Sequence, residues 1–163
     1  MIFAALMAAF AAILQSAGGL LVGIGFFISP FATAPILMAT LVSFRSGVFT
    51  YFVSILLLLI IQPAELFIFP FTTGLLGLGL GWSFRALSSS YGIVFMNGVL
   101  LFLGICIPLY VLGFPVFGPS STSSISVTML VLIFVFSLLY SWIWLEFGLF
   151  LLRKIQKFVL YSK

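Results

Sequence analysis

The chain has 163 residues, 64% of them hydrophobic and 5% charged, with a formal net charge of +4. A soluble domain carries roughly 25% charged residues to face water, so lipid is the expected outer solvent here. At about 20 apolar residues per crossing of a ~30 Å hydrocarbon layer, the chain is long enough for about six transmembrane helices, and no stretch is left for a separate soluble domain. A membrane barrel would alternate apolar and polar residues along each strand, whereas 54–61 and 129–136 show no such alternation. The apolar, Ala-rich start lacks the positive flank of a signal peptide and reads as an uncleaved first helix.

Taken in chain order, the predicted spans are 2–17, 29–44, 48–61, 64–84, 91–112 and 125–152. The first ends near Gln15-Ser16-Ala17-Gly18-Gly19, and residues 18–28 read either as a loop or as the beginning of the second span. Arg45-Ser46-Gly47 closes the second span, Gln62-Pro63 the third and Arg85 the fourth. Ser88-Ser89-Ser90 forms a turn, and Gly113 to Ser124 is the longest polar connection. With six spans and a cytoplasmic N-terminus, the inner connections and tail hold Arg45, Arg85, Arg153, Lys154, Lys157 and Lys163, which are all six basic residues. This distribution obeys the positive-inside rule. The expected protein is therefore an all-α six-helix bundle of the plasma membrane with both termini cytoplasmic. Trp82, Trp142 and Trp144 read as interfacial belt residues near the inner side.

Small residues let helices approach closely in lipid. Ala4, Ala8 and Ala12, with Ala5 and Ala9 beside them, offer such a face on the first span, either for internal packing or for a partner helix. Gly74, Gly77 and Gly81 share a face of the fourth span and read as a helix-packing stripe. Polar groups in the bilayer need partners. Glu65 after Gln62-Pro63 reads as a first-turn carboxylate at a helix N-terminus, or as an anchor of a site open to the outside. Phe67 and Phe71 could line an apolar pocket beside it, and Asn97 reads as an interhelical hydrogen-bonding amide or a ligand contact. The chain has no histidine, only two carboxylates and one cysteine, Cys106. Catalysis, metal binding and a cofactor are not expected, nor is nucleic-acid binding with so few dispersed basic residues.

The size, the six spans with both ends inside, the small-residue segment Ala4-Ala-Leu-Met-Ala-Ala-Phe-Ala-Ala12 and the stretch from Gly47 through Glu65 to Phe71-Thr-Thr-Gly-Leu-Leu-Gly-Leu-Gly-Leu-Gly-Trp82 carry a resemblance. The chain resembles the substrate-binding S components of energy-coupling factor transporters, including the related YybS-like membrane family. That resemblance implies a vitamin-like micronutrient bound near the outer face, with Gln62, Glu65, Phe67, Phe71 and Asn97 as candidate contacts. It also implies that Ala4, Ala5, Ala8, Ala9 and Ala12 dock on a membrane coupling subunit driven by cytoplasmic ATPases. A second resemblance, in size, hydropathy and the Leu14-Gln15-Ser16 end of the first span, is to the MreD proteins, and implies a cell-envelope scaffold without a ligand. A pore or exporter working alone is a third expectation.

Overall fold

The computed structural model describes residues 1–21, 23–113 and 127–161, with side chains described as far as Lys154 in the last helix. The Ser/Thr-rich connection expected over 113–124 lies outside the described residues beyond Gly113. All regular structure in the described chain is helical: α1 (Ile2–Leu20), α2 (Gly25–Ile28), α3 (Thr33–Val42), α4 (Phe44–Ile61), α5 (Thr73–Ala86), α6 (Ser90–Cys106) and α7 (Val127–Tyr161). Tighter 3-10 turns cover Ser29–Ala32 and Pro63–Phe67, and a wider turn, Ile107–Val111, extends α6. Among the described residues, five helical stretches are long and apolar enough to cross a membrane: Ile2–Leu20, Gly25–Val42, Phe44–Ile61, Ser90–Val111 and Val127–Lys154. The chain is a helical membrane protein.

Three differences from the sequence expectations have local causes. Residues 18–28 divide between the end of α1, a turn at Gly23 (φ 82°) and α2. The turn is tight because Gly25 lies so close to the Ala17 carbonyl that a Cβ there would overlap it. Arg45 does not end a span but lies in the first turn of α4, because extended Ser43 caps that helix, its hydroxyl accepting the Ser46 N–H at 3.2 Å. The expected helix over 64–84 is broken: a 3-10 turn holds Pro63–Phe67 and α5 begins only at Thr73. Pro70 has no N–H to continue a helix and its ring would strike the carbonyl four residues back. With 14 residues, α5 is about 21 Å long, shorter than a ~30 Å hydrocarbon layer.

Packing follows the small residues. α5 lies against α3, where a Cβ on Gly77 would come within 2.7 Å of Ile36 Cβ, and one on Gly81 would overlap Thr40. Gly74 instead faces Phe69, where an added Cβ would lie 3.0 Å from the ring. On another side of α5, Gly79 meets the Asn97 side chain and Leu100 of α6. α1 packs along α4, and α6 along α7. The interior forms two cores. One joins Leu37, Leu76, Leu80, Leu101, Ile133 and Leu145; the other joins Ala11, Ala12, Ala32, Ile36, Leu58 and Phe69. Neighbouring residues Ile36 and Leu37 of α3 thus serve opposite cores. Trp82 and Trp142 are exposed, but Trp144 is buried in the first core. It makes edge-to-face contacts with Phe31, Tyr140 and Phe147, which corrects its reading as a belt residue.

Candidate functional site

The inward face of α1 is a run of alanines ending in an amide. Ala4, Ala8, Ala11 and Ala12 are buried, and Gln15, one turn further, is 2% exposed. A buried amide needs both ends paired, and the partners come from two other elements. The Thr73 hydroxyl at the start of α5 donates to Gln15 Oε1 at 2.7 Å. Gln15 Nε2 then donates to Glu65 Oε2, also at 2.7 Å.

Glu65 reaches this position because Pro63 opens the 3-10 turn and the Glu65 N–H is bound by the Gln62 carbonyl at 3.0 Å. Glu65 as a whole is 8% exposed. The other oxygen, Oε1, lies beside Gly18 and Ser29: a Cβ on Gly18 would sit 3.3 Å from both Glu65 Oε1 and Ser29 Oγ. Gln62 folds over Gly19, where a side chain would collide with its amide. Glycines at the end of α1 therefore make room for both polar residues. Glu65 lies in the connection outside the five long spans, and burial pushes its carboxyl above the ordinary value, the Gln15 hydrogen bond partly offsetting this.

Next to this chain of hydrogen bonds is a cleft of about 190 Å³ between the Ile68–Thr73 stretch, α6 and α7, with Pro30, Ile68, Thr72, Thr73, Phe136 and Tyr140 among its walls. Tyr140 donates to the Pro30 carbonyl at 3.2 Å, and its ring stacks on Phe136 at 5.6 Å. Thr73 belongs to both features: it lines the cleft and starts the run of hydrogen bonds to Glu65. The arrangement is an apolar recess with one polar corner, which is the usual construction of a small-molecule site. Other hollows, such as that of about 320 Å³ between α1 and α3 at Met7, Phe10 and Met38, have apolar walls. Among the described residues, no group of three His, Cys, Asp or Glu side chains converges as metal ligands would.

No protein-family model matches this chain, and neither a curated protein nor a solved structure matches it.

Of the residues singled out from sequence, Gln62 and Glu65 lie together against the end of α1, beside Gly19 and Gly18, and neither is among the residues lining the cleft. Phe67 is 45% exposed and Phe71 is half-buried with its backbone carbonyl against Gly104; neither is among the residues lining the cleft. Asn97 belongs elsewhere. It is fully buried between α5 and α6, donating to Ser83 Oγ at 2.8 Å and to the Ile93 carbonyl at 2.9 Å. It lies in the half of the bundle near Arg85, which donates to the Thr40 and Leu41 carbonyls at 2.8 and 3.0 Å. Ala4, Ala8 and Ala12 are occupied within the molecule, since Thr50 donates to the Ala4 carbonyl and Ser54 to that of Ala8 at 3.1 and 3.3 Å. Ala5 is exposed and Ala9 half-buried. Sequence reasoning missed Gln15, Ser29, Thr73 and Tyr140 as site residues. The only signal for Gln15 was an amide in an otherwise apolar helix, and its partner is 50 positions away.

Proposed function

We propose that this chain is a ligand-binding membrane subunit of an uptake transporter, of the S-component kind its sequence resembles. The observation that supports this reading is the hydrogen-bonded series Thr73–Gln15–Glu65 beside an apolar cleft. Gln15 is a polar group within a long apolar span, where such groups are costly and mark candidate binding or transport sites. In this reading α5 makes a sixth, short crossing, both termini are cytoplasmic in the plasma membrane, and the Glu65 end faces outwards. The positive-inside distribution of Arg45, Arg85, Arg153 and Lys154 supports that orientation. The ligand is a small micronutrient-like molecule. A coupling subunit with cytoplasmic ATPases docks along the outward part of α1 at Ala5 and Ala9, because Ala4, Ala8 and Ala12 are already covered by α4.

Affinity purification from native membranes in a mild detergent tests this, with mass spectrometry of both protein and small-molecule fractions. ATPase subunits together with a retained small molecule are the expected result. An empty bundle accompanied only by cell-envelope proteins would overturn it and establish the scaffold reading. One observation favours that second reading: a cleft of about 190 Å³ is below the ~300–1,000 Å³ of ordinary ligand pockets.

A further inference from the structure

The charge balance around Glu65 narrows the ligand class. The chain has no Lys, Arg or His before Arg45, between 46 and 84, or between 86 and 152. α1 and α4 both end at this corner, and neither has a basic residue in its last turn. Helix C-termini carry partial negative charge, so a buried carboxylate here meets further negative potential and, among the described residues, no side-chain cation. The hydrogen bonds run one way, from the Thr73 hydroxyl to Gln15 Oε1 and from Gln15 Nε2 to Glu65 Oε2. The series thus ends on an acceptor, the Glu65 carboxylate. A buried carboxylate without a positive partner is expensive.

Glu65 is joined to the cleft through its neighbours and its backbone. Ser29, beside Oε1, is followed by the cleft residue Pro30. The N–H of Ile68, another cleft residue, bonds the Glu65 carbonyl at 3.1 Å. The stacked rings of Phe136 and Tyr140 add aromatic surface of a kind that attracts cations.

Resting on the ligand-binding reading above, we propose that the ligand carries a positively charged nitrogen, with its ammonium group on Glu65 Oε1 and its apolar body in the cleft. The missing positive charge is supplied from outside the chain. The amine N–H donates to Oε1, and Gln15 holds the other oxygen in place.

The test uses the purified full chain in lipid nanodiscs and three probes of one skeleton: 2-phenylethylamine, 2-phenylethanol and phenylacetate. Binding is followed by isothermal titration and by tryptophan fluorescence, since Trp144 touches Tyr140 of the cleft. A charge-assisted hydrogen bond contributes enough to favour the amine over the alcohol by about tenfold or more. Glu65→Gln should abolish that preference, bringing the amine to the affinity of the alcohol in the same variant, and Glu65→Asp should keep part of it. Equal binding of amine and alcohol by the unaltered protein would overturn the proposal without requiring any variant to fold. So would tighter binding of phenylacetate, a preference that survives in Glu65→Gln, or complete displacement of the amine by sodium or potassium at equimolar concentration. Failure of all three probes to bind would instead refute the cleft as a ligand site, and with it the reading on which this proposal rests.

Discussion

Asn97 and Gln15 are both buried amides, yet they do different work. Asn97 ties two helices that are neighbours in sequence, and its Ser83 partner keeps a second bond, donating to the Gly79 carbonyl at 2.7 Å. Asn97→Ala should therefore remove one interhelical hydrogen bond, to Ser83, together with the bond within α6 to the Ile93 carbonyl. The expected loss is about 0.6 kcal/mol and at most ~1.7, typical of such bonds in membrane bundles, read from unfolding in increasing denaturing detergent. The interhelical role of Asn97 was legible because an amide inside an apolar run needs a partner on an adjacent helix. The role of Gln15 was not. Its hydrogen bonds reach Glu65 and Thr73, 50 and 58 positions away, and which distant polar groups meet is decided by how the helices fold back.

At the scale of elements, the glycines divide into those that permit contact and those that merely occur in a helix. Gly25 is of the first kind, because a Cβ there would overlap the backbone carbonyl of Ala17, and backbone cannot rotate aside as a side chain can. Gly92, in the first turn of α6, is of the second kind, with its nearest neighbour, Ser89 Cβ, at 3.8 Å. Gly25→Ala should sharply reduce the yield of monodisperse protein in fluorescence-detected size exclusion. Gly92→Ala should leave it unchanged or raise stability by about 0.4–1 kcal/mol, the ordinary gain from replacing an unconstrained helical glycine. Similar profiles for the two variants would contradict the packing described here. Helix existence and type could be read from the apolar runs. The break before α5 could have been read from Pro70, but the glycine-rich run that follows concealed it. The division of α5 into one glycine face for α3 and another for α6 required the third dimension, because spacing along one helix does not say which neighbour each face meets.

At the scale of the whole molecule, membrane character followed directly from the scarcity of charge, whereas the arrangement of two cores did not, since every span is apolar on most of its faces. Lipid-facing and core-facing residues are then chemically alike, and hydropathy cannot separate them. The proposed orientation is open to direct test. In a Cys106→Ser background, Ala64→Cys should react with a membrane-impermeant maleimide added to intact cells. Ser88→Cys, in the connection between α5 and α6, should react only after permeabilisation. Labelling of both from one side would overturn the crossing by α5.

The position of α3 between the cores also constrains how the sequence can change. Ile36 and Leu37 are fully buried and face different sets of partners. A substitution on one face of α3 that alters its tilt would disturb the packing of the other face as well. Compensation would then have to arise in two unconnected groups of residues at once. α3 should therefore drift more slowly than the helices that pack against it, and relatives too distant to align elsewhere should still align along it.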